Sequence, residues 1–193
     1  MKTMSGIKTL LLGLVLCACA GFAWGAPAHA ALQAGAARAE ITPQEPCFLG
    51  GYYMLTERSV GVHDPLYVRA LVLDNGDARV ALLTMDVVIM GGVMAQEIKE
   101  LINKETGIPV EHINVSATHT HSGPEGYYEE FGKYPKEYDP DMKMMMEHNA
   151  LQAVHTALDR LQPASFGFAA FTLEHQNGNR HDPDGPVDRT AIV

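Results

Sequence analysis

Two histidines one residue apart, His119 and His121 in Ala117-Thr-His-Thr-His-Ser-Gly-Pro124, have the types and spacing to hold a metal ion. The run before them, Ile113-Asn-Val-Ser-Ala117, reads as a short buried strand. Side chains in a strand alternate faces, so residues two apart point the same way. Two imidazoles at the end of such a strand would supply part of a coordination sphere. Zinc takes His nitrogen at roughly 2.0–2.1 Å, and catalytic zinc sites commonly use three protein ligands plus water. The pair therefore accounts for two ligands, and others must come from elsewhere. The plainer reading is two partly exposed loop histidines.

Other residues invite chemistry less strongly. Asp86 closes an apolar strand, where a carboxylate needs a partner. It reads either as the acceptor for the second N–H of a ligand imidazole or as a cap for nearby backbone amides. Ser122 follows the second His, but no nucleophile elbow surrounds it, and its expected part is to orient the loop. His63, in Gly61-Val-His-Asp-Pro65, reads as a turn residue. His148 and His155 stand one heptad apart, not at the i, i+4 spacing of a helical metal pair, and read as surface positions. Met142-Lys-Met-Met-Met146 reads as helix packing. Tyr127, Tyr128, Phe131 and Tyr134 either line an apolar entrance or stabilise a long loop.

The elements that must position these residues follow from periodicity and punctuation. Arg38 to Ile41 reads as a strand stopped by Pro43, and Cys47 to Val60 as a loop. Leu66 to Leu73 and Ala78 to Val88 are apolar runs joined by Asp74-Asn-Gly-Asp77, and Asn-Gly is a strong hairpin signal. Their weak alternation suggests burial on both faces. A helix is expected from Val93 to Thr106, capped by Gly107 and ended by Pro109. The histidine strand follows. The spacing of Met146, Ala150, Ala153, Val154, Ala157 and Leu161 predicts a second helix over residues 140–161, closed by Pro163. Ser165 to His175 reads as a strand and Gln176 to Pro186 as a polar loop. Strands separated by helices indicate an α/β fold with a mixed β-sheet core flanked by helices. The passage from Ala78 to Ala117 could be a crossover between two parallel strands. Asp86 and the His pair would then share the rim at the strands' carboxyl ends.

The N-terminus carries a different signal. Lys2 and Lys8 precede an apolar stretch from Leu10 to Ala20, and Ala28-His-Ala30 offers a small-x-small cleavage site. Residues 1–30 read as a signal peptide cut after Ala30, hence a secreted or periplasmic protein. A lipid on Cys19, within Leu16-Cys-Ala-Cys19, is the rival reading. Removing residues 1–30 takes away two lysines and no acids, so the formal charge moves from −9 to −11. So acidic a surface repels phosphate backbones and excludes nucleic acid as a partner. Cys47 is then the one remaining cysteine, so the mature fold cannot rest on an internal disulfide.

The octapeptide around the histidines resembles the zinc-binding signature of the neutral/alkaline non-lysosomal ceramidases. Ala34-Gly-Ala-Ala-Arg-Ala-Glu-Ile-Thr-Pro43 is similar to that family's opening strand, and Gly61-Val-His-Asp-Pro-Leu-Tyr-Val-Arg-Ala-Leu-Val-Leu73 to its next block. Val80-Ala-Leu-Leu-Thr-Met-Asp86 resembles the strand that follows, and Asn179-Arg180 with Asp184-Gly-Pro-Val-Asp188 falls where members enter a further strand. The resemblance implies zinc at His119 and His121. It implies hydrolysis of the N-acyl bond of ceramide-like lipids to a sphingoid base and a fatty acid. Such a substrate would be compatible with transient contact with a membrane surface. Arg180 matches a substrate-pocket position, and its five fixed donors suit an oxygen-rich group. Family members are much longer, with a third zinc-binding His, a Glu and a Tyr beyond the strand expected near Thr190. The resemblance therefore implies that residues 31–193 form the N-terminal portion of a larger catalytic domain. Two alternatives stand beside it. One is a zinc hydrolase of another exported amide or ester; the other is a non-catalytic fragment with sheet edges and apolar faces left open.

Overall fold

The computed structural model describes residues 31–52, 57–128, 137–174, 178–179 and 181–192. The expected signal peptide, Phe131, Tyr134, His175 and Arg180 lie outside the described residues. Strands β1 (Gln33–Glu40), β2 (Tyr67–Asp74), β3 (Arg79–Met85) and β4 (Ile113–Ala117) form a mixed sheet with a short β5 (Gln162–Pro163). The order is β4-β3-β2-β1-β5. Helix α1 (Gly92–Thr106) links β3 to β4, which pair in parallel, while β1, β2 and β3 are antiparallel neighbours. Helix α2 (Pro140–Asp159) precedes β5. This is the α/β fold with a mixed sheet and flanking helices that the element order implies.

Local chemistry explains most boundaries. The β2–β3 hairpin turns at Asn75-Gly76, with Gly76 at φ 84° and its N–H donated to Asp74 Oδ1 at 2.8 Å. Helix α1 ends at Gly107, whose φ of 73° lets its N–H reach the Asn103 carbonyl. Helix α2 starts on the Asp139 carboxylate, which accepts from the N–H groups of Asp141 and Met142. β1 begins five residues earlier than expected. Its Ala-rich start has weak strand propensity, but pairing with all of β2 and close approach to α2 override it. A Cβ at Gly35 would sit 1.9 Å from the Ala157 carbonyl oxygen, so only glycine admits the helix there.

The sheet is covered on one face. Val68, Ala70 and Val72 of β2 and Ala81, Leu83 and Met85 of β3 are buried in one core with Met94, Ile98 and Ile102 of α1 and Met146, Ala150, Ala153, Val154 and Ala157 of α2. The intervening Arg69, Leu71 and Leu82 are exposed, Leu71 to 37% and Leu82 to 40%. The expectation of burial on both faces is therefore corrected: both helices lie against the same side, and the alternation is that of a half-covered sheet. The strand expected over residues 165–175 shortens to β6 (Ala170–Thr172), paired with β7 (Thr190–Ile192) in a separate ribbon. Phe166 and Phe168 stand exposed before it. No helix among the described residues is long and apolar enough to cross a membrane.

Candidate metal centre

β3 and β4 leave the sheet at one rim, where Met85 faces Ala117 and the Thr118 N–H donates to the Met85 carbonyl at 2.9 Å. The histidines lie beyond the strand, not on it. His119 has a φ of 62°, in the left-handed region. This bend, not the alternation of a strand, brings the two rings together, with centroids 5.0 Å apart and planes at 87°. A non-glycine residue held there costs about 1–3 kcal/mol and persists only where its surroundings fix it.

Val88 provides part of that fixing. Nδ1 of His119 lies 2.5 Å from the Val88 carbonyl oxygen. A carbonyl only accepts, so Nδ1 is the donor, and in the neutral ring the lone pair then lies on Nε2. That tautomer is the one a ligand bonding through Nε2 requires. His121 packs edge-on against Tyr52, with centroids 5.3 Å apart. Its ring occupies the space beside Gly51, where a Cβ would meet Cε1 and Nδ1 at 2.5 Å. Gly51 has a φ of 84°, and a Cβ on Gly50 would meet Val88 Cγ1 at 2.6 Å.

Backbone ties hold these segments together. The Gly50 N–H donates to the Gly123 carbonyl at 3.0 Å and the Glu125 N–H to the Phe48 carbonyl at 2.7 Å, around an antiparallel bridge between Leu49 and Pro124. A Cβ at Gly123 would stand 2.8 Å from the Asp86 carbonyl oxygen, so that glycine lets the histidine loop lie on the end of β3. Tyr127 is fully buried; its hydroxyl donates to the Ile89 carbonyl at 2.5 Å, and the Ile89 N–H points back to it at 3.4 Å. Burial pushes its phenol well above the usual tyrosine range. Tyr128 is buried against it, ring centroids 5.0 Å apart. Neither ring lines an entrance: of the two readings of the aromatic cluster, these residues take the stabilising one.

The remaining candidates separate. The Asp86 carboxylate is taken up by Arg69, whose Nη1 lies 2.8 Å from Oδ1 and 2.7 Å from Oδ2, and by the Tyr67 N–H at 3.0 Å. The acceptor expected of Asp86 at a ligand imidazole is supplied at His119 by the Val88 carbonyl instead, because the Asp86 side chain engages β2. His63 is exposed and contacts Asp64 at 2.7 Å. His148 and His155 are exposed on α2. Ser122 is exposed, its N–H donating to Thr120 Oγ1 at 3.2 Å within the loop. Cys47 is buried, which raises its thiol pKa and disfavours the thiolate a metal would need. Arg180 lies outside the described residues.

The structure thus brings His119 and His121 together, with Nδ1 of His119 on the Val88 carbonyl. Among the described residues no group of three or more His, Cys, Asp or Glu converges. Two imidazoles fit zinc as half of a tetrahedral sphere, with further donors required. Sequence reasoning missed Val88, Gly50 and Gly51, which act through backbone and by lacking a side chain. The signal present was the paired glycines followed by an aromatic.

The chain is similar to known proteins in sequence and in fold. The family described as neutral/alkaline non-lysosomal ceramidase, N-terminal, matches residues 32–183. A protein named neutral ceramidase from Drosophila pseudoobscura pseudoobscura is 31% identical over 105 residues, covering 52% of this chain and 15% of that protein. The fold is similar to the crystal structure of neutral ceramidase from Pseudomonas aeruginosa, with a TM-score of 0.73 at 21% identity over 84% of this chain and 29% of that one. A structure described as ceramidase complexed with C2 gives a TM-score of 0.72 at 21% identity, covering 84% of this chain and 28% of that one. The chain spans less than a third of the length of these relatives. It belongs to the neutral/alkaline non-lysosomal ceramidase family and carries the N-terminal portion of its fold.

Proposed function

We propose that this chain forms the N-terminal part of an exported zinc-dependent amidohydrolase that cleaves the N-acyl bond of ceramide-like lipids, releasing a sphingoid base and a fatty acid. The observation that carries the reading is the His119 imidazole, its Nδ1 proton held by Val88 and its Nε2 lone pair left for a metal, with His121 beside it. His119 and His121 would hold the zinc, together with donors from outside the described residues. Bound there, zinc would polarise the amide carbonyl and lower the pKa of a bound water to about 7. The rim is open enough to be reached, since His119 is exposed and His121 half-buried. Arg180 would position the polar head of the substrate, and Asp86 would keep Arg69 and the end of β2 in place behind the rim.

The test uses the full-length protein, with ceramide hydrolysis and bound zinc as separate readouts. His119→Ala with His121→Ala is expected to remove both. Activity retained by that double variant would contradict the hydrolase reading.

The half-covered sheet, and the absence of a third converging ligand among the described residues, favour a second reading for the 193 residues taken alone, that of a non-catalytic fragment. Zinc stoichiometry decides between them: tight one-to-one binding by this chain would rule the inert reading out.

A further inference from the structure

Behind the imidazole pair lies a buried tyrosine bonded to the residue that follows the His119 acceptor. Tyr127 is fully buried, and both contacts of its hydroxyl fall on one residue, Ile89: donation to the carbonyl at 2.5 Å and acceptance from the N–H at 3.4 Å. Ile89 directly follows Val88, whose carbonyl takes the Nδ1 proton of His119 at 2.5 Å. Residues 86–90 form neither helix nor strand, so no sheet ladder or helix ladder fixes the direction of the Val88 carbonyl. Gly50 and Gly51 pack on the Val88 side chain from the other side: a Cβ on Gly50 would meet Cγ1 at 2.6 Å and one on Gly51 would stand 3.2 Å from Cγ2. The carbonyl is therefore set by two clamps, the glycine pair on its side chain and the Tyr127 hydroxyl on the next peptide.

We infer that Tyr127 is a positioning residue for the metal centre: by fixing the Ile89 peptide it aims the Val88 carbonyl at His119 and keeps that ring's proton on Nδ1. The consequence is chemical. Without a fixed acceptor the proton is shared between the two ring nitrogens, and the lone pair that a metal needs on Nε2 is present for only part of the time. Deleting one hydroxyl from the core, out of contact with the ion, then weakens metal binding. The inference rests on the metal-site reading above for its purpose, but its geometric content can be measured with no metal present.

The experiment is ¹⁵N NMR of the histidine rings in the metal-free protein, comparing wild type with Tyr127→Phe. Wild type is expected to show His119 as the Nδ1–H tautomer, and the variant to move toward a mixture, with exposed His148 on α2 as an unmoved internal reference. Zinc affinity of the full-length protein is expected to fall about 10-fold in the variant, the low end for loss of a group that orients a ligand. A merely structural tyrosine would lower the melting temperature and leave the His119 ring resonances unchanged; that result overturns the inference. If Tyr127→Phe does not fold, 3-fluorotyrosine at position 127 keeps ring and hydroxyl while changing donor strength. The His119 Nδ1 resonance must then shift, and its constancy overturns the inference equally. The two readings fail separately: a tautomer that follows residue 127 in a protein that binds no zinc defeats the metal site alone. Zinc bound by both histidines with a tautomer blind to residue 127 defeats the positioning role alone.

Discussion

At Gly51 the centre is most exposed to a single methyl group. A Cβ there would meet the His121 ring at 2.5 Å on a backbone with φ of 84°. Gly51→Ala is expected to cost about 1–3 kcal/mol of stability through the strained conformation. It should also turn the His121 ring away from His119. Denaturant titration reads the first effect, and calorimetric titration with zinc the second, as a loss of about tenfold or more in affinity, the scale on which misplaced ligands fail. Unchanged zinc affinity in a folded Gly51→Ala protein would mean that His121 is not held where the structure puts it. The two histidines were legible in the sequence because their types announce chemistry and their spacing is short. Val88, Ile89 and Gly51 were not, because a backbone carbonyl, a peptide and a missing side chain have no chemical signature. Their partners lie tens of residues away in the chain. Asp86 shows the converse, a residue type that advertises a site role but whose oxygens face Arg69 and the Tyr67 amide.

Among the elements, the β2–β3 hairpin orders the sheet from which the centre projects. Asp74 accepts from the Gly76 N–H through Oδ1, and from Arg79 Nε and Nη2 through Oδ2 at 2.8 and 2.6 Å. The Gly76 amide first, and the Arg79 guanidinium second, hold its carboxyl below the usual aspartate range. A carboxylate with a depressed folded pKa contributes stability above its unfolded value, about 3.9. That contribution is lost as the pH falls through the lower folded value. Asp74→Asn should therefore lower the urea midpoint at pH 6 by an amount corresponding to about 0.5–1 kcal/mol, the scale of a pair near the surface. The gap to wild type should narrow progressively as the pH falls below the unfolded value. A gap that does not narrow at all as the pH falls would show that charge is not its source. This hairpin, α1 and β4 could be read from Asn-Gly, Gly107 and Pro109, each of which forces a local break. The start of β1 could not, since Ala and Gly say nothing of strand until a partner strand and a helix lie against them.

For the molecule as a whole, the open sheet face is the property least visible in sequence. Leu71 and Leu82 are apolar and cross-strand neighbours, and composition alone reads such runs as doubly buried. Which face is covered depends on where α1 and α2 dock, and that is decided by contacts across the chain. Taken alone, this chain should bind an apolar fluorescent dye. Leu71→Lys with Leu82→Glu, a facing pair of opposite charge, should reduce that fluorescence severalfold while leaving far-UV circular dichroism unchanged. Equal dye binding by the variant would locate the apolar surface elsewhere. The parallel pairing of β3 with β4 carries one more consequence. A tight turn cannot join parallel neighbours, so residues 86–112, with α1 among them, must be threaded and docked before Ala117 can settle against Met85. Closing so long a connection is slow compared with forming a hairpin. His119 and His121 follow a strand that must wait for that closure, so the pair of rings can come together only after the β2–β3 hairpin has formed.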